Sequence, residues 1–110
     1  MLLTELVALA LGRRRLHRVR GSSMSPAYVE GDLVLVNPHA YRERPPRPGD
    51  VVLAQHPYKG VTLLKRVATV SADGRVRVVG DDPAQSTDSR QFGGIAPGCI
   101  EGRVVARMRG

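Results

Sequence analysis

Five short runs rich in valine and leucine follow an apolar N-terminus, and the two patterns predict different elements. Leu2, Leu3, Leu6, Leu9 and Ala10 recur at the spacing of one helix face. Beyond them, Asp32–Asn37, Asp50–Gln55, Val61–Val70, Arg75–Val79 and Ile100–Arg107 are β-branched runs of strand length. Tyr58-Lys59-Gly60 and Ala72-Asp73-Gly74 separate adjacent runs as hairpin turns do. Pro45, Pro46 and Pro48 lack the amide protons a ladder needs, so that stretch is a rigid connection rather than a strand. The expected organisation is an amphipathic helical segment over residues 1–18 and one mostly β domain over residues 19–110.

Strand alternation gives one polar residue an unusual setting. Along Val61–Val70, Leu63, Lys65 and Val67 share a face, while Leu64, Arg66 and Ala68 take the other. Lys65 therefore lies among apolar neighbours, where desolvation disfavours the charged ammonium and lowers its pKa from about 10.4. The chain has two lysines, Lys59 and Lys65, against fifteen arginines. A guanidinium stays protonated in proteins, so a lysine within an arginine-rich chain is a candidate base that an arginine could not be.

The 110 residues suffice for a single core, and with few aromatics that core must rest on valine and leucine. The net charge of +7 attracts anionic partners in general, but the arginines are scattered and alternate with no aromatic side chains. A base-stacking surface for nucleic acid is therefore not expected. Cys99 stands alone, which excludes a disulfide framework, and reads as a small buried hydrophobe. His17, His39 and His56 lack metal-ligand spacing with one another or with Cys99, so no metal site is expected.

Met1 to Gly12 is shorter than the roughly 20 apolar residues a membrane-spanning helix needs. Its positive charges, Arg13 to Arg20, follow the apolar run, whereas a secretory signal carries them before it. The expectation is a helix resting on the domain, on a partner or weakly on a membrane surface, with the protein cytoplasmic or peripheral to the inner face of the membrane.

Ser23 sits in Gly21-Ser22-Ser23-Met24-Ser25-Pro26, where Gly21 permits a tight turn and Pro26 fixes the chain beyond it. A serine hydroxyl becomes a useful nucleophile when an adjacent base takes its proton, and Lys65 is the candidate base. Together with the Pro48-to-Val52 strand entry, Lys65-Arg66-Val67 and Gly80-Asp81-Asp82-Pro83 continuing to Ser86, Asp88, Arg90 and Gly93, these residues occur in the order found in the type I signal peptidase superfamily. From Val19 to Val105 the chain resembles those serine–lysine proteases. The resemblance implies a single small β domain of the signal-peptidase and LexA-like kind, with Ser23 as nucleophile and Lys65 as general base. It further implies that Ser86 orients the amine, that Asp88 and Arg90 form a supporting ion pair, and that Gly21, Met24, Pro26, Gly80 and Asp81 support the site. The backbone N–H of Ser23 would donate to the oxyanion, and no cofactor is implied.

Three departures from that pattern bear on function. Gly21 stands where many signal peptidases have a serine that donates to the oxyanion, Asp82 where asparagine is common, and neither a membrane anchor nor a second β domain is evident. On size the chain most resembles the proteases that mature nickel-type superoxide dismutase, so the expected substrate is that enzyme's precursor, bound as an extended segment and relieved of its N-terminal propeptide. The competing expectations are a LexA-like self-cleaving regulatory module and a membrane-associated signal peptidase. The first is disfavoured because no Ala-Gly cleavage site precedes Ser23.

Overall fold

The computed structural model describes residues 2–109, so that Met1 and Gly110, the outer ends of the two expected segments, lie outside the described residues. Helix α1 (Leu3–Ala10) leads into β1 (Arg15–Arg18), followed by β2 (Leu33–Asn37), β3 (Val51–Gln55), β4 (Thr62–Val70), β5 (Val76–Val79), the short helix α2 (Ser89–Phe92) and β6 (Ile100–Met108). The strands form one antiparallel sheet in the order β1-β2-β6-β3-β4-β5. The mostly β class and the short N-terminal helix are as the hydrophobic pattern predicts.

The helical expectation for residues 1–18 needs correcting at its end. Helix α1 stops at Ala10, and Arg15–Arg18 is an edge strand pairing with β2, Leu16 opposite Leu35 and His17 opposite Val34. No residue of α1 is buried. A bond from Arg14 Nε to Glu5 Oε1, 2.7 Å long, ties its end to the chain that follows.

Alternation along β3 fills both faces of the sheet. Val51 and Leu53 join Val19, Met24, Val34, Val36 and Leu64 in one apolar cluster. Val52 and Ala54 join Val67, Val76, Val78 and Ile95 in the other. Burial on both sides explains why Val51–Gln55 reads as a continuous apolar run rather than an alternating one. A β-bridge between Val76 and Ile95 closes the second cluster over the end of β5. Removing such side chains from water at about 25 cal/mol per Å2 is the main source of stability in a chain with few aromatics.

The order of the strands also creates a cleft. β2, β6 and β3 lie between β1 and β4 in the sheet, yet His17 of β1 and Thr62, Leu63, Leu64 and Lys65 of β4 wall one cavity of about 140 Å3. The sheet therefore curls far enough to bring the outer strand β1 against the first half of β4.

Candidate active site

Local bonding holds the Ser23 segment from both sides. The chain leaving β1 stays paired through Val19, whose N–H donates to Asp32 O at 2.8 Å and whose carbonyl accepts from Gly31 N at 3.0 Å. Gly21 then turns with φ at +74°, a left-handed conformation that a serine side chain there would strain. Met24 is 2% exposed and anchors the next residue in the first apolar cluster. The peptide joining Ser25 to Pro26 is cis. Between these anchors the Ser23 carbonyl accepts from Asp82 N–H at 2.8 Å, which fastens the loop to the segment after β5.

Lys65 reaches Ser23 from the middle of β4. It is 4% exposed and lies opposite Val52 in the ladder. Its Nζ is 2.9 Å from Ser23 Oγ and 3.0 Å from Ser86 Oγ. Among the described residues no carboxylate forms an ion pair with it. Burial lowers its pKa below the ordinary lysine value; the Asp88 charge opposes that shift and the Arg90 charge adds to it.

Asp88 organises the other side of the amine. Its carboxylate is fully buried and accepts from Gly80 N at 2.7 Å, from the Ser86 hydroxyl, from Arg90 N at 3.0 Å and from the Arg90 guanidinium. Desolvation alone would raise its pKa, but the bonds from Arg90, Ser86 and the two amides outweigh that and hold it well below the usual carboxylate range. Asp88 also caps α2, while the Gln91 side chain accepts from Asp88 N–H at 2.8 Å.

An ionised carboxylate only accepts, so the single Ser86 hydroxyl proton is committed to Asp88. Ser86 Oγ is then left to accept from Lys65 Nζ. In the neutral form of the amine, one N–H directed to Ser86 would leave the nitrogen lone pair for the hydroxyl proton of Ser23. Asp88 thus fixes the direction of the chain of hydrogen bonds without contacting the amine.

Gly80 is required for space rather than for conformation. A Cβ on Gly80 would lie 2.3 Å from Ser86 Oγ and 2.7 Å from the Ser23 carbonyl oxygen. It is the point where the two serines meet the backbone of a third segment.

The structure brings Ser23, Lys65, Ser86, Gly80, Asp88 and Arg90 together, and it places Gly21, Met24 and Pro26 in the loop around Ser23. Asp81 does not bond the amine; it forms a two-point pair with Arg66, Nε to Oδ1 at 2.9 Å and Nη2 to Oδ2 at 2.8 Å. Sequence reasoning did not find that partner, nor the cleft residues His17 and Arg20 beside Ser23. Fifteen residues separate Arg66 from Asp81, and no local pattern signals the pair. His17 and Arg20 belong to the edge strand and its continuation, which carry no hydrophobic alternation. Among the described residues no group of His, Cys, Asp and Glu side chains is arranged to hold a metal ion.

Comparison with known proteins gives this geometry a family. Residues 3–74 match the family described as signal peptidase, peptidase S26, a span that takes in Ser23 and Lys65 and ends before Gly80. The chain is also 32% identical to the mitochondrial ATP-independent inner membrane protease subunit 1b of Arabidopsis thaliana, over 80% of its own length and 66% of that protein's. The family match over more than half of the residues shows that the chain belongs to the S26 family of signal-peptidase-like proteases.

Proposed function

We propose that the protein is a serine endopeptidase that removes an N-terminal propeptide or leader from a precursor protein, using Ser23 as nucleophile and Lys65 as general base. The observation that carries this reading is the buried Lys65 Nζ at 2.9 Å from Ser23 Oγ, with no carboxylate of the described residues pairing with it. The neutral amine takes the hydroxyl proton as Ser23 Oγ attacks the scissile carbonyl, forming the new C–O bond and an oxyanion. Ser23 N–H, which donates to no acceptor among the described residues, is available to that oxyanion. Collapse breaks the C–N bond, and Lys65 passes its proton to the leaving amine. Water then attacks the acyl ester, giving a proton to Lys65, which returns it to Ser23 as the product acid departs.

Two free strand edges support binding of an extended substrate. β5 pairs with β4 only from Arg66 onward, so Thr62 to Lys65 have no strand on that side. β1 is the outermost strand at the other end of the sheet. A precursor segment lying between these edges in the curled sheet gains main-chain hydrogen bonds and passes Ser23.

The precursor we assign is that of nickel-type superoxide dismutase, on the sequence resemblance, with the nickel belonging to the substrate and no cofactor in the protease. We place the reaction in the cytoplasm, with the uncovered Leu3, Leu6 and Val7 of α1 beside the exposed Arg13 and Arg15 suited to weak contact with an anionic membrane. Among the described residues no helix is long and apolar enough to cross a membrane.

The test is incubation of the purified protein with that precursor, reading new N-termini by mass spectrometry. One new N-terminus, absent with Ser23→Ala, is expected. Cleavage that persists in Ser23→Ala contradicts the mechanism, whereas Ser23-dependent cleavage of other precursors alone contradicts the substrate assignment.

A further inference from the structure

The cleft beside Ser23 continues into a wider, open groove of about 490 Å3, and the two share His17, Arg20 and Thr62, with Arg18 and Val61 added in the groove. No carboxylate lines either. Arg18 and Arg20 are exposed, and among the described residues neither is ion-paired. Arg18 Nη1 donates to the Gly31 carbonyl at 3.2 Å, which steadies its stem without neutralising its charge. Of the acidic side chains around it, Glu30 accepts from Gly21 N at 3.3 Å, and Glu101 acts on His17 and is bonded to Gln55. Burial and the Arg20 charge lower the pKa of His17, Glu101 opposing them, so the two arginines supply the positive potential of the groove.

Resting on the peptidase reading above, we infer that this groove selects precursor segments carrying an acidic side chain a few residues from the bond cut at Ser23, with Arg20 and Arg18 as specificity-determining contacts. Val61, just before β4, lies four positions before Lys65, which at about 3.3 Å per residue corresponds to roughly 13 Å, or three to four residues of an extended substrate. The apolar edge of Val61 and the methyl of Thr62 pack the backbone while the guanidinium groups face the carboxylate. A solvated pair of this kind adds modestly to affinity, but it discriminates, because a substrate lysine at the same place meets two like charges.

The experiment uses peptides spanning a cleaved junction, with Glu, Ala or Lys placed in turn at each of about four positions on either side of the bond, to cover the groove's reach. With the wild-type protein, kcat/KM is expected to favour Glu over Lys by about tenfold at one position, and raising salt should shrink that ratio. Arg20→Glu, which removes no hydrogen bond found in the structure, should reverse the preference, and Arg18→Gln with Arg20→Gln should erase it. A flat Glu-to-Lys ratio at every position for the wild type overturns the inference even if no variant folds. So does an unchanged ratio in the arginine variants, and if those variants instead lose binding to phosphatidylglycerol vesicles, the arginines face lipid. Cleavage of the Ala peptide by the wild type and not by Ser23→Ala keeps the outcome separate from that of the peptidase reading.

Discussion

Lys65 and Arg66 are adjacent on β4 and carry the same formal charge, yet the two faces of the strand treat them in opposite ways. Lys65 is buried against two hydroxyl groups with no carboxylate pairing, and its pKa is lowered, first by burial. Arg66 is part-exposed, donates to both oxygens of Asp81 and to the Gly49 carbonyl, and has its pKa raised, first by the Asp81 bonds. One face disfavours charge and the other secures it. On the proposed mechanism, burial without a counter-ion is what would let Lys65 act as a base, with the Ser86 hydroxyl orienting the amine without restoring its charge.

The largest expected effect comes from removing the unpaired face. Ser23→Ala and Lys65→Met should each lower kcat/KM by at least about a thousandfold, the upper range for losing a nucleophile or general base. Lys65→Arg should do no better, since guanidinium cannot give up its proton. Arg66→Met, by contrast, should leave kcat/KM within a few-fold. Steady-state kinetics on a precursor peptide checks all four, and equal losses at positions 65 and 66 would dissolve the distinction.

A smaller loss should follow from crowding the site without touching its chemistry. Gly80→Ala puts a methyl against Ser86 Oγ and the Ser23 carbonyl, backbone and short side chain that cannot swing away. Overpacking of this kind typically costs about 1–3 kcal/mol of stability; if a similar strain falls on the Ser23–Ser86 geometry, kcat should drop by about fivefold or more while the protein stays folded, as circular dichroism and kinetics together would show.

The subtlest contrast is in stability. Lys65→Met should raise stability by on the order of 1 kcal/mol, because methionine fills the space without a buried amine. The folded-state pKa of Lys65 lies below its unfolded value, so this gain is complete at pH below the folded pKa and fades as pH rises toward about 10.4. Arg66→Met should instead lose about 1 kcal/mol or less, the side chain being 35% exposed and its pair partly screened. Chemical denaturation at neutral and alkaline pH reads both signs.

Much of this arrangement was legible in the chain, and what was not has physical reasons. The valine runs specified β2 to β6 because burial of apolar side chains leaves a period-2 or continuous pattern. The same alternation put Lys65 and Arg66 on opposite faces. β1 escaped notice because Arg15-Leu16-His17-Arg18 is a largely exposed edge strand, defined by its ladder with β2 rather than by its composition. Ser86, Asp88 and Arg90 were legible only through the family resemblance. The direction of their hydrogen bonds depends on Asp88 being both fully buried and ionised, which no linear pattern encodes. Gly80 too was marked only by the resemblance, since its φ is ordinary and the need is for room beside two serines that are distant in sequence.

The central claim, that Lys65 is neutral when it acts on Ser23, can be measured on the residue itself. Since the chain has two lysines, Lys59→Arg leaves one, and a protein carrying 13C at lysine Cε then gives a single side-chain resonance to follow against pH. The account predicts that this signal titrates well below the roughly 10.4 of free lysine, and that the rising limb of kcat/KM follows the same midpoint. A midpoint at or above the free-lysine value, or a rate limb that ignores it, would contradict the account.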